Sequence, residues 1–97
     1  MMQPTIGRVV WYHPQGLAGY KEQNIQPWPA FITEVISQAS EDTPAMVNVA
    51  GFDNNGYQFH DSHINLYVLD EESYFSWAPT LTWMPYQVEQ AKKTEQE

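Results

Sequence analysis

The chain contains no cysteine, and this absence excludes two kinds of stabilising site. Disulfide bonds and thiolate-ligated metal sites both need cysteine, so neither can hold the fold together. Long apolar runs are also missing, including the run of about 18 residues that marks a transmembrane helix. No basic and apolar leader of the secretory type is visible at the start. We therefore expect a cytoplasmic protein that does not enter a membrane.

Basic residues are scarce. The chain has 4 Lys and Arg against 12 Asp and Glu, which gives a formal net charge of −8. Arg8 and Lys21 are the only basic residues before position 92. Direct binding to nucleic acid is disfavoured, because few cations are present to displace phosphate counterions. The acidic excess either serves solubility alone or forms a face that binds a basic surface of another protein.

Short apolar runs between turn signals predict an all-β domain. A chain of 97 residues is the size of one domain. The tetrapeptide at residues 53–56, Asp-Asn-Asn-Gly, is flanked by apolar runs, and Asn and Gly tolerate positive φ, so it predicts a β-hairpin turn. Predicted strands lie at residues 5–12, 30–37, 46–52, 57–60 and 80–84, and residues 64–69 form either a sixth strand or a short connection.

The segments between these runs complete the prediction. Residues 13–29 contain several Gly and Pro residues and no sustained periodicity, so they predict a long loop. Residues 86–97 predict a short helix that frays towards its end. The chain is therefore expected to consist of one domain at 1–91 and a flexible polar tail at 92–97. Five or six short strands with a long first loop favour a small SH3-like barrel. An OB-like barrel or a small sandwich is the alternative.

An aromatic and acidic surface is the leading candidate for a binding site. Four aromatic residues flank the long first loop, where SH3-like folds form a peptide groove from aromatic and acidic side chains. Trp11 and Trp28 can instead belong to the core, and the acidic bend can be merely solvated. The predicted partner-binding residues are Trp11, Tyr12, Tyr20, Glu22, Trp28, Asp70, Glu71 and Glu72.

Two weaker patterns suggest other ligands. Arg8 and Lys21 could hold a small anionic ligand such as a nucleotide. Such a ligand would preferably contact these cations from more than one subunit of a homo-oligomer. His60-x-x-His63 near Asp61 is the one metal-like pattern, but side chains three apart on a strand point to opposite faces, so no metal site is predicted. The serines lack a nucleophile-elbow setting, and nothing marks an orienting partner for a histidine base. We expect no cofactor and no enzymatic activity.

Several segments resemble a family of small proteins encoded by tailed bacteriophages. Residues 4–12 (PTIGRVVWY) match an opening of the form Pro-Thr-(Ile/Val)-Gly-Arg-(Ile/Val)-Val-x-Tyr. Further matching pieces are residues 30–35 (AFITEV), 47–52 (VNVAGF) and 82–85 (TWMP). The resemblance spans most of residues 4–85 and carries no catalytic motif.

This resemblance implies that the protein is encoded by a phage and acts in the host cytoplasm. Small acidic phage proteins often inhibit a host factor, so the expected function is non-enzymatic binding of a host protein with a basic surface, in host takeover or counter-defence. A homo-oligomer that sequesters a small nucleotide and a structural virion or assembly component are the alternatives. Fold alone does not determine function, so this expectation follows from the resemblance and the charge.

Overall fold

The computed structural model describes residues 2–68 and 76–96, which form a small β-barrel with two short helices. The predicted hairpin turn is confirmed, because Asp53 N donates to Tyr57 O at 2.8 Å and Gly56 has a φ of +83°. The elements in chain order are β1 (Val9–His13), α1 (Gly16–Gln23), β2 (Trp28–Ser37), β3 (Ala45–Phe52), β4 (Gln58–Tyr67), β5 (Thr80–Thr82) and α2 (Pro85–Gln96).

The five strands follow one another around a closed barrel in sequence order. Strands β1 to β4 pair antiparallel with their neighbours, and β5 closes the barrel by pairing antiparallel with β1 and parallel with β4. The predicted small all-β barrel is therefore confirmed. An OB-fold is a Greek-key barrel, so the uninterrupted sequence order agrees better with the SH3-like prediction.

Alternation along the strands fills the barrel. In β3 every second residue from Ala45 to Gly51 is buried, as expected for a strand with one face in a core. Strand β2 departs from this rule because it carries two bulges, so that Ile32 and Val35 both contact the core although they are three positions apart. Phe31, four positions before Val35, is exposed instead. The buried core residues are Val10, Tyr12, Ala30, Ile32, Ala45, Val47, Val49, Leu66, Leu81 and Trp83.

The predicted structureless loop at 13–29 is wrong, because it contains helix α1. Leu17 and Ala18 are fully buried, and Ala18 N donates to Ser76 O at 2.9 Å. Gly16 has a φ of +71°, and a Cβ at this position would collide with Ser76 O. At the other end, Asn24 takes a left-handed conformation, which is a common way for a helix to end.

Strand β4 is longer than the predicted strand at 57–60. It continues through residues 61–63, where β4 and β3 shift register and His63 has a φ of +57°. The side chain of Asn48 on β3 stabilises this bulge, because its Oδ1 accepts from His63 N and its Nδ2 donates to Glu34 Oε1, both at 2.9 Å. Asp61 and Ser62 therefore do not end the strand, and residues 64–67 of the predicted segment form the second half of β4.

Helix α2 extends the short pairing between β1 and β5. Gln87 on α2 accepts a hydrogen bond from Met84 N at 2.9 Å and donates one to Val9 O at 2.8 Å. Its side-chain amide thus pairs with main-chain groups on both sides, as another strand residue would. The helix reaches Gln96 and includes most of the segment 92–97. The division into a domain and a flexible tail stays a prediction.

Candidate functional site

The alternation of β1 separates the predicted aromatic surface into two clusters. Tyr12 points into the barrel and is 6% exposed. Its ring stacks on Trp28 at a centroid distance of 5.7 Å and lies 4.7 Å from Phe59. Its hydroxyl donates to Asp61 Oδ2 at 2.8 Å. Burial and the neighbouring Asp61 carboxylate raise the pKa of Tyr12 well above its ordinary value.

Tyr12 is therefore a core residue with one polar contact. The prediction that Tyr12 contacts a partner does not fit this burial, because a buried ring offers almost no surface to another protein. The alternative for Trp11, a fully buried core position, is also wrong: Trp11 is only half-buried and points outward.

The second cluster lies between β1 and α1 and contains Trp11, His13 and Tyr20. The Tyr20 ring lies 5.0 Å from His13 and 6.3 Å from Trp11. His13 is 1% exposed, and its Nε2 lies 2.8 Å from Thr82 Oγ1, whereas its Nδ1 has no hydrogen-bond partner. Burial lowers the pKa of His13 to about 4. The imidazole is therefore neutral at physiological pH, and this cluster serves mainly to dock α1.

An open surface remains beside Trp28. This ring is half-buried, and it lines a groove of about 520 Å³ between the start of α1 and the β3–β4 hairpin. We call it the α1 groove; its lining residues are Pro14, Gln15, Ile25, Gln26, Trp28 and Asn54. Glu22 lies on the exposed side of α1. Trp28 is thus one of the predicted aromatic residues and lines an open groove.

Exposed acidic residues of the barrel are not neutralised by Arg8 or Lys21, whereas Asp53 and Asp61 are half-buried and accept hydrogen bonds. Neither cation forms an ion pair with an acidic residue that the structure describes. Arg8 instead lies over Trp83, with 5.7 Å between its guanidinium carbon and the ring centroid. Glu22, Glu34, Glu41 and Asp42 are all exposed. The predicted acidic bend of Asp70, Glu71 and Glu72 lies outside the described residues.

The two cations of the nucleotide hypothesis lie towards opposite ends of β1. Five residues of extended backbone separate Arg8 from His13, a distance of roughly 17 Å. Lys21 belongs to α1, which packs at the His13 end of β1 through Tyr20.

The metal-like histidine pattern is spread along β4. His60 and His63 are both exposed on this strand. In the described ranges 2–68 and 76–96, no group of three or more His, Asp or Glu side chains is placed to hold a metal ion.

A second groove was missed in the sequence, because its walls come from distant parts of the chain. It has a volume of about 430 Å³ and lies between the β2–β3 loop and the end of β4. We call it the β2–β3 groove; its lining residues are Met2, Ala39, Ser40, Glu41, Asp42, Thr43, Pro44, Leu66, Tyr67, Val68 and Trp83. The sequence at 38–44 is polar and typical of a connection, and no local pattern reveals that Met2 and Trp83 lie beside it.

Comparisons with protein-family models, with curated proteins and with solved structures gave no match in any of the three sets. Within the described part of the chain, no helix has the length and apolar character that crossing a membrane requires. The function must therefore be argued from the charge and shape of the barrel itself.

Proposed function

We propose that this protein is a phage-encoded, non-enzymatic binding module. It binds a basic surface of a host protein in the cytoplasm and thereby inhibits or modulates that protein, in host takeover or counter-defence. The observation that carries this proposal is the exposed, unneutralised acidic charge of the barrel. Glu22, Glu34, Glu41 and Asp42 are exposed, and Arg8 and Lys21 pair with none of the described acids.

Such a charge distribution favours association with basic proteins in particular. A net charge of −8 gives a field that attracts a positive surface over several ångströms and repels nucleic acid. Charge complementarity mainly raises the rate of encounter, whereas short-range apolar contacts determine how long a complex lasts. Trp28 in the α1 groove is suited to a short-range apolar contact, because a half-buried indole can cover an apolar residue of a partner.

The first experiment is affinity capture from infected host cells with the tagged full chain. Proteins and small molecules that co-purify are identified by mass spectrometry, with and without nuclease, at low and at high salt. A basic host protein that resists nuclease and dissociates in salt supports the proposal. A co-purified compound that absorbs near 260 nm would support the nucleotide-sequestering alternative, and recovery of the chain from purified virions would support the structural one.

The second experiment measures association with the captured partner. Raising salt from about 50 to 500 mM shortens the screening length from roughly 14 to 4 Å, so the association rate should fall while dissociation changes less. Reversal of Asp70, Glu71 and Glu72 to Lys should slow association in the same way. Trp28→Ala is the matched contrast, because it removes no charge and should mainly speed dissociation. An association rate that responds to neither salt nor charge reversal rejects the acidic-surface proposal.

A further inference from the structure

We infer that the β2–β3 groove is a subsite for one lysine or arginine side chain of a partner protein. This inference rests on the proposed function and adds to it the chemistry of a specific contact. The groove combines an apolar floor and an acidic rim, and none of the described residues that line it is a cation. These are the three properties that a long, cationic side chain requires.

The floor of the groove suits the aliphatic part of such a side chain. Leu66 and Trp83 are 4% and 3% exposed, and Met2 and Val68 pack against the same core. Lysine and arginine bury their methylene stems along apolar surface and keep the charged head near water. A volume of about 430 Å³ lies at the small end of the range for ligand pockets, so the groove fits one long side chain with its neighbours better than a broad surface.

The rim supplies the charge. Glu41 and Asp42 are exposed in the β2–β3 loop and line the groove. An uncharged apolar side chain would displace water from these carboxylates without forming a hydrogen bond or ion pair with them. An ammonium or guanidinium group would pair with them. The rim thus discriminates between a cationic side chain and an apolar one of the same length.

The walls of the groove are held in place before a ligand arrives. Gln3 and Ala39 exchange two hydrogen bonds, of 2.9 and 2.8 Å, which fix the start of the loop against the N-terminal segment. Ser40 N donates to Thr43 O at 2.9 Å and closes the loop around the two acids. Trp83 N donates to Tyr67 O at 3.0 Å and fixes the floor. Binding therefore requires little ordering of the main chain, which lowers its entropic cost.

Arg8 lies against Trp83 but does not line the groove. Its charge opposes that of an incoming cation, and the two acids of the rim outnumber it. Arg8→Gln should accordingly leave binding of a lysine side chain unchanged or make it tighter.

The test uses three capped tripeptides as probes in an NMR titration of the full chain: acetyl-Gly-Lys-Gly-amide, acetyl-Gly-Arg-Gly-amide and acetyl-Gly-norleucyl-Gly-amide. The Trp83 indole and the Met2 methyl group report on the groove. Lysine and arginine probes should shift both signals with dissociation constants on the order of 1–10 mM, since a single side chain contributes few contacts. The norleucine probe has the same stem without the charge and should bind at least about threefold more weakly.

The decisive variant is Glu41→Gln with Asp42→Asn, which removes the rim charge without changing shape. It should weaken both cationic probes by about threefold or more, while norleucine binding should stay unchanged or become tighter. The matched control is Glu34→Gln with Glu89→Gln, which changes net charge equally at exposed positions outside the groove and should have a smaller effect. Melting curves for all variants verify folding, which the exposed loop acids Glu41 and Asp42 are not expected to alter.

The inference is overturned if no probe shifts the groove signals at about 10 mM, or if norleucine and lysine bind equally. It is also overturned if the two double variants weaken binding equally, because the effect would then be one of net charge alone. Salt-dependent binding of a basic host protein could still be observed in each of these cases. Failure of this subsite is therefore distinguishable from failure of the proposed function.

Discussion

The free energy of unfolding should decrease as the pH falls from 6.5 towards about 4. The reason is His13, which is buried and whose Nδ1 has no hydrogen-bond partner. Its pKa is about 4 in the folded protein against an ordinary value of 6.5. Between these values the unfolded chain binds the proton more tightly, so protonation favours unfolding. The stabilisation is fully present above pH 6.5 and is lost progressively as the pH falls towards 4. The full shift corresponds to about 3 kcal/mol, at 1.36 kcal/mol per pKa unit.

Most of this loss should appear before the carboxylates titrate. Between pH 7.5 and 5 the linkage relation gives a loss of about 2 kcal/mol, which corresponds to a fall in Tm of roughly 8–16 °C for a domain of this size. The assay is urea unfolding at pH 7.5, 6 and 5, followed by tryptophan fluorescence. A linear extrapolation at each pH gives the free energy of unfolding.

Two variants assign the effect to His13. His13→Gln can keep a hydrogen bond to Thr82 but does not titrate, so its stability should change little between pH 7.5 and 5. His60→Gln changes an exposed histidine on β4 and should retain the pH dependence of the native chain. A native free energy that stays constant over this range, or a His13→Gln variant with an unchanged slope, would refute the reasoning.

Three further substitutions test the fold. Gly16→Ala should lower the free energy of unfolding by at least about 2 kcal/mol, because the new Cβ would collide with Ser76 O. Gly7→Ala is the comparison: Gly7 has a φ of +91° and nothing lies within 4 Å of the new Cβ, so only about 1 kcal/mol of backbone strain is expected. Equal costs in thermal unfolding would argue against close packing at Gly16. Gly56→Val should lower stability by about 1 kcal/mol or more through the same strain, and an unchanged Tm would count against the turn. Tyr12→Phe should cost about 1 kcal/mol, because it leaves Asp61 without the 2.8 Å hydrogen bond, and a stability equal to that of the native chain in urea unfolding would show that this bond contributes nothing.

Local patterns predicted the barrel because its strands and its main turn depend on nearby residues. The alternation in β3 and the Asn-Gly turn at 53–56 are visible in a few consecutive positions. Helix α1 could not be predicted in this way, since Gly16 and Gly19 disfavour a helix and the burial of Leu17 stabilises it only in the folded barrel. The bulge in β4 likewise depends on Asn48, which lies on another strand.

The candidate site was predictable to a smaller extent. The sequence identified the aromatic residues near the first loop. It could not show whether Trp11 or Tyr12 points into the barrel, because the residues before and after this pair are compatible with either orientation of the strand. The β2–β3 groove has no local signal, since Met2, Asp42 and Trp83 become neighbours only when the barrel closes. The acidic excess was visible from composition alone. Only the folded structure shows that Arg8 and Lys21 form no ion pair with the described acidic residues.

The closure of the barrel also bears on how the chain folds. The contacts between β1 and the last part of the chain join residues far apart in sequence: His13 and Thr82 are separated by 69 positions, and Val9 and Gln87 by 78. Bringing such distant segments together costs more chain entropy than closing the β3–β4 hairpin, whose turn spans four residues. We expect this hairpin to form in the transition state and the junction of β1, β5 and α2 to form after it. Substitutions at Gln87 should then mainly speed unfolding, and those at Val49 should slow refolding, which stopped-flow kinetics can distinguish.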